Sequence, residues 1–144
     1  MKINRTTDYA IRIIRAIYDN GGVVTSKIIA NKENISQGVL MKIMRVLKNH
    51  GIVESHQGRG EVSGGFSLRK SPKELTLLAI VEAMEGPVLI AEWIKDEPHL
   101  VEVSSICQEY KRINDILRTE LDKYTLYDIF NKEKSGAYQY TEDK

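Results

Sequence analysis

Residues 25–69 read TSKIIANKENISQGVLMKIMRVLKNHGIVESHQGRGEVSGGFSLR, and this stretch decides the fold. Ser36 is suited to cap a helix, because its side-chain oxygen can accept from a free amide of the first turn. Gly51 is suited to end that helix in the left-handed conformation. Between them Leu40, Ile43 and Leu47 recur at helical spacing, and Val39 and Val46 widen the apolar stripe. Gln37, Gly38, Met41, Lys42, Arg45 and Lys48 fall on the other side. A shorter helix precedes, from Ser26 to about Lys32, with Ile28, Ile29 and Ala30 as its core contacts. Glu33-Asn34-Ile35 turns the chain between the two, with Ile35 plugging the corner. After Gly51, residues 52–56 can pair with residues 66–69, and Gly58, Gly60, Gly64 and Gly65 let the connection bend sharply. Helix, turn, helix and hairpin in this order make a winged helix-turn-helix, so the fold class is mainly α with a small β-wing.

The polar face of the second helix has the chemistry of a DNA-binding surface. Lys and Arg neutralise phosphates there, and Gln37 can hydrogen-bond a base edge. A solvated basic face would look the same for this helix alone. The helix before it and the hairpin after it favour DNA. The candidate contacts are Arg5, Thr7, Lys27, Ser36, Gln37, Gly38, Val39, Met41, Lys42, Arg45 and, at the wing tip, Arg59. The rival reading of the glycines, a phosphate-cradling loop, is poor. No Lys-Ser or Lys-Thr pair follows them, and the loop joins two strands rather than opening a helix.

Charge is divided along the chain. The net charge is only +1. Residues 1–73 carry 13 Lys and Arg against 5 Asp and Glu, a balance of +8, and residues 74–144 carry 8 against 15, a balance of −7. The basic half contains the helix-turn-helix, so the acidic half should face away from a polyanion. A chain of 144 residues, 42% hydrophobic, is long enough to bury one core. No run is long enough to span a membrane, and the polar opening Met1 to Asp8 is no signal peptide, which points to the cytoplasm. The single cysteine, Cys107, excludes an intramolecular disulfide.

Outside the central stretch, residues 7–20 predict a first helix capped by Thr6 or Thr7, with Ala10, Ile13, Ile14 and Ile17 facing inward. Arg12 and Arg15 read as exposed positives along it. Leu75 to Met84 predicts another helix, stopped by Gly86-Pro87. Residues 88–102 have mixed character. From Val103 the residues Val103, Ile106, Tyr110, Ile113, Leu117, Leu121 and Tyr124 step by three or four, a narrow seam on one long helix. Such a seam suits the contact of a homodimer; packing on the chain's own core is the alternative. Residues 125–130 read as a short capped helix that tucks back. The organisation expected is a DNA-binding domain over 1–86, a connecting segment over 87–102, a dimerisation helix and return helix over 103–130, and a polar tail over 131–144.

The chain resembles the Rrf-two family of bacterial winged-helix transcription regulators. The carrying residues are the opening Thr7-Asp8-Tyr9-Ala10-Ile11-Arg12, the Ile35-Ser36 entry to the second helix, and residues 47–53, LKNHGIV. Gly64-Gly65-Phe66-Ser67-Leu68 and residues 72–87, PKELTLLAIVEAMEGP, complete the match over about residues 1–130. The resemblance implies a homodimer with a long crossed helix per subunit. It also implies a palindromic operator read by recognition helices in successive major grooves, with wings in the flanking minor groove, and usually repression. Carried over by position, Ser36, Gln37, Val39, Met41 and Lys42 take the base-facing start of the recognition helix.

Two departures stand out. The wing tip, residues 57–63, is longer than the family's compact type. Cluster-binding members carry three cysteines between the Gly-Pro stop and the dimer helix, whereas here Cys107 stands alone. An iron–sulfur cluster needs about four ligands, mostly thiolates. Asp8, His99 and Cys107 would make an unusual set, so no cofactor is expected. The effector, if any, is a small molecule or a partner protein, with Trp93 and the apolar residues of 88–101 as its contacts. The alternatives are a winged protein-interaction module without DNA binding and an iron–sulfur or redox-sensing regulator with atypical ligands. An enzyme is not expected, since His50, His56 and His99 sit in no catalytic pattern.

Overall fold

Ala10, Ile13, Ile14 and Ile17 form one apolar stripe, and all four are buried on the inner side of α1 (Arg5–Asn20), which Gly21 ends with φ of 70°. The computed structural model describes residues 2–61 and 64–134. The helix begins earlier than expected, and neither Thr6 nor Thr7 caps it. Asn4 precedes the first turn and Thr7 lies inside it, with no exposed surface. The Thr7 hydroxyl donates to Glu85 Oε2 at 2.7 Å, and the Asn4 amide donates to Glu85 Oε1 at 3.2 Å. A carboxylate 78 residues away in sequence from Thr7 therefore takes the Asn4 amide and the Thr7 hydroxyl and stands at the positive end of α1.

Thr25 caps α2 (Ser26–Glu33), and Ser36 caps α3 (Gln37–Asn49), each accepting from the amide three residues on at 3.3 Å. Asn34 makes the turn with φ of 53°, a conformation asparagine tolerates. Ile29, Ala30 and Ile35 are buried as expected, but Ile28 points outward and is about half exposed. Arg12 is not a solvated positive. Its Nε lies 3.1 Å from Glu33 Oε2 and its NH2 donates to the Glu33 carbonyl at 2.8 Å, which ties α1 to the helix-turn-helix corner. Glu33 is buried. Removing the guanidinium strands a buried carboxylate, so Arg12→Ala is expected to destabilise the protein by on the order of 3 kcal/mol, read by chemical denaturation. Glu33→Gln should lose less, because the guanidinium it leaves unpaired is 31% exposed and can be met by water, whereas the carboxylate stranded by Arg12→Ala is buried.

Leu40, Ile43, Met44 and Leu47 of α3 close over α1, each burying an aliphatic side chain that contributes roughly 2 kcal/mol. Gly51 then turns the chain with φ of 68° into β1 (Val53–His56), which pairs antiparallel with β2 (Gly65–Leu68) in the register Val53 opposite Leu68. Val24 adds a further rung: it exchanges two backbone hydrogen bonds with Phe66, at 2.8 and 2.7 Å. That crossing explains Gly65, where a Cβ would collide with the Val24 carbonyl.

α4 (Leu77–Glu85), capped by Thr76, is apolar on two sides because it is packed on two sides. Ile80 belongs to the main core with α1 and α3, while Leu78 and Val81 make a second, smaller core with Val88. Residues 88–103 contain two single-turn helices, α5 (Trp93–Asp96) and α6 (Leu100–Val103). Ser104 then caps α7 (Ser105–Asp122), and α8 (Leu126–Lys134) returns to place Leu126 and Phe130 in the main core. The expected polar tail lies, from residue 135 on, outside the described residues.

The seam expected from Val103 to Tyr124 is divided. Val103 belongs to α6 and Tyr124 follows the end of α7, so neither continues the long helix. Leu117 and Leu121 pack into the second core of their own chain, and Tyr110 stands edge-on to Trp93 with ring centroids 5.8 Å apart. These three are intramolecular contacts. The apolar side chains that α7 leaves in the open are Ile106, Ile113 and Ile116, which are 59%, 44% and 50% exposed. Arg118 NH1 reaches Glu82 Oε2 at 2.6 Å, and the Val88 amide donates to the same oxygen at 3.0 Å. The Arg118 hydrogen bond holds the Glu82 carboxyl below its usual range against the opposing effect of burial.

Candidate nucleic-acid interface

α3 separates its residues cleanly. At about 100° per residue, the exposed positions Gln37, Gly38, Met41, Lys42, Arg45 and Lys48 fall within an arc of roughly 140°, and the buried stripe lies opposite. Lys42 and Arg45 make no ion pair or hydrogen bond among the described residues, so two cations stand ready at mid-helix. Met41 is 43% exposed, an apolar group beside them that suits a thymine methyl. Val39, expected to face bases, is instead half-buried against the main core, and its amide is taken by the Ser36 cap.

The free N-terminal end of α3 is tied to its neighbours. Gln37 Nε2 donates to Ser26 Oγ at 2.7 Å, which fixes the amide plane and leaves its carbonyl oxygen outward. Lys27 follows Ser26 on the exposed side of the first turn of α2. At the other end Lys48 Nζ donates to Ser55 Oγ at 2.9 Å, joining helix to wing. Met41, Arg45 and Lys48 of α3 and Ser55 and Phe66 of the wing line a shallow groove between the two elements. Arg59 is exposed at the wing tip, of which residues 62 and 63 lie outside the described residues. Arg5 is exposed, with its guanidinium 5.4 Å from the Tyr9 ring centre. Thr7 is removed from the interface by its burial and its bond to Glu85.

Gly38 is informative because the protein does not need it. A Cβ there meets nothing within 4 Å, and its φ is not positive. The open surface over the first turn suits close approach by a backbone from outside. Gly38→Ala is expected to stabilise the fold by up to ~1 kcal/mol in thermal melts and to weaken DNA binding in the same preparation.

Asp8, His99 and Cys107 do not meet as a ligand set. Among the described residues no three His, Cys, Asp or Glu side chains gather in a metal-binding arrangement. Asp8 lies on exposed α1 surface 3.8 Å from Arg12, His99 is exposed ahead of α6, and Cys107 is buried in the first turn of α7. His50 Nδ1 lies 2.9 Å from the Val46 carbonyl and His56 Nε2 lies 2.7 Å from Ser67 Oγ, both structural contacts. No helix among the described residues is long and apolar enough to cross a membrane.

The family model described as an iron-dependent transcriptional regulator, Rrf2, matches residues 3–132. The chain belongs to the Rrf2 family. A Bacillus subtilis protein named HTH-type transcriptional regulator NsrR is 33% identical over 139 residues, 92% of this chain and 93% of that one. The B. subtilis HTH-type transcriptional regulator CymR is 32% identical over 145 residues, 97% of this chain and 99% of that one. The solved structure of CymR, titled the global cysteine regulator of B. subtilis, superposes with a TM-score of 0.67 at 30% identity over 90% of this chain and 95% of that chain. The Rrf2 assignment establishes a transcription regulator built as a winged helix, and the relatives indicate no enzymatic family.

Proposed function

We propose that the protein is a cytoplasmic, homodimeric repressor that binds a palindromic operator sequence-specifically and works without an iron–sulfur cluster. The observation that carries the reading is the exposed arc of α3, where Lys42 and Arg45 stand unpaired beside Gln37, Gly38 and Met41. The arc is framed by Lys27 on one side and the wing with Arg59 on the other. Dimerisation through the open isoleucines of α7 would present two such arcs to half-sites about one helical turn apart. The family's description as iron-dependent does not fit this donor set: the chain has one cysteine, and it is buried away from Asp8 and His99. One thiolate cannot supply the three or four a cluster takes.

The test is fluorescence anisotropy with DNA from the gene's own upstream region, using chelator-treated protein at two salt concentrations. Tight binding by the chelated protein is expected, selective over scrambled DNA and weakening with salt by roughly 0.9 log unit per tenfold salt for each phosphate neutralised. Binding that arises only after anaerobic loading with iron and sulfide would restore the cluster. No selective binding in either form would leave a winged interaction module.

A further inference from the structure

We infer that the cavity between the 89–95 segment and α7 is a binding site for a small apolar carboxylate. The cavity is about 220 Å³, walled by Leu89, Ile90, Ala91, Ile94 and the Tyr110 ring. A dry cavity of about 150 Å³ accepts a benzene ring, so this one has room for a ring or a branched chain with a short acidic arm.

The polar groups specify the charge. Lys95 and Lys111 line the cavity and no Asp or Glu does, although residues 74–144 hold 15 acids against 8 bases. Lys111 is held by Asp115 at 2.8 Å. The Lys95 ammonium has no ion pair or hydrogen bond among the described residues. Asn114 also borders the cavity, but its amide is engaged at both ends: Nδ2 donates one hydrogen bond to the Val88 carbonyl at 3.1 Å and Oδ1 accepts one from the Ile90 amide at 2.9 Å. What remains for a guest is the Lys95 ammonium and the Tyr110 hydroxyl beside an apolar wall. An anion at one end of an apolar body matches both.

The site lies beside the open isoleucine edge rather than on it. Around α7, Tyr110, Asn114 and Lys111 stand roughly 40°, 80° and 140° from Ile106 in one direction, and Ile113 and Ile116 roughly 20° and 80° in the other. The cavity wall is held by the same bonds that join the two ends of the molecule. Asn114 clamps residues 88 and 90 to α7, and Glu82 of α4 takes the Val88 amide and Arg118 together. A guest in the wall therefore bears on the packing of α4, which touches α1. The role of effector rests on the DNA-binding reading above; the binding itself does not.

The experiment uses the full chain free in solution, titrated with 3-phenylpropionate and with its uncharged alcohol, 3-phenylpropanol. Binding is read by calorimetry and by the fluorescence of Trp93, the single tryptophan, which stands against Tyr110 of the cavity wall. The acid is expected to bind about threefold to tenfold more tightly than the alcohol. Lys95→Gln, an exposed position, is expected to remove that margin while leaving the alcohol's affinity and the circular dichroism unchanged. Equal affinity for acid and alcohol, a margin that survives Lys95→Gln, or no binding of either compound would overturn the assignment. Adding the acid to the DNA complex then tests the effector role separately, and a protein that bound no DNA would leave the calorimetric result standing.

Discussion

The Lys42→Glu, Arg45→Glu protein is expected to fold and dimerise normally and to lose its DNA. Both side chains are exposed and neither holds another residue in place, so circular dichroism and melting temperature should move little. The consequence for DNA is large because the changes act twice in the proposed dimer. Four cations facing phosphates become four anions, and each replaces a favourable contact with repulsion. Affinity at low salt should fall by at least about 1000-fold, and the slope of log affinity against log salt should flatten by roughly 3 to 4. The slope separates a lost phosphate contact from a damaged fold, which would weaken binding without changing the count of displaced ions. Affinity and slope close to the unaltered protein's would remove α3 as the reading helix. Gly38→Ala probes the same surface from the opposite side, since it should improve the fold while impairing the complex.

The parts of this molecule that were legible in sequence are those governed by local rules. The α3 stripe, its Ser36 cap and its Gly51 terminus lie within sixteen residues, and spacing and side-chain chemistry predict them, Met44 joining the buried side. The wing followed from a β-forming run, a glycine cluster and a second run. What could not be read were partners distant in sequence. Thr7 beside a helix start has the chemistry of a cap or a phosphate ligand, and only the fold brings Glu85 to its hydroxyl. Arg12 looked solvated because the carboxylate that holds it, Glu33, comes 21 residues later on another helix. Residues 88–103 show no periodicity because they form single turns closed by short-range backbone bonds, and the stretch before them is held by Asn114 and Glu82 at Val88 and Ile90. The α7 seam is divided for a different reason. Helical spacing identifies an apolar face, but it does not say which edge of that face a neighbouring helix has already covered. Leu117 and Leu121 are spent on α4, and the uncovered edge includes Ile116, which the seam omitted.

That division makes the dimer testable by two sets of changes on one helix. Ile113→Glu, Ile116→Glu places charge on the open edge of α7 and leaves the second core untouched. In the proposed dimer four carboxylates would then enter the interface without partners, at a desolvation cost of several kcal/mol each, so the dimer dissociation constant should rise by at least about 1000-fold. Analytical ultracentrifugation should find a monomer whose melting temperature reports an intact protomer. Leu117→Ala, Leu121→Ala should behave in the opposite way. It opens space beneath Leu78 and Val81, costs the protomer roughly 2 kcal/mol or more per site, and leaves the outer edge able to associate. Operator affinity links the two results. A monomer engages one half-site and forfeits the second, tethered contact, which is worth about 100-fold to 10,000-fold. The isoleucine variant should therefore lose operator affinity while keeping every α3 cation, and retain its weak, salt-sensitive binding to unrelated DNA. If it remains a dimer, the contact lies elsewhere, and the open isoleucines of α7 await a different partner.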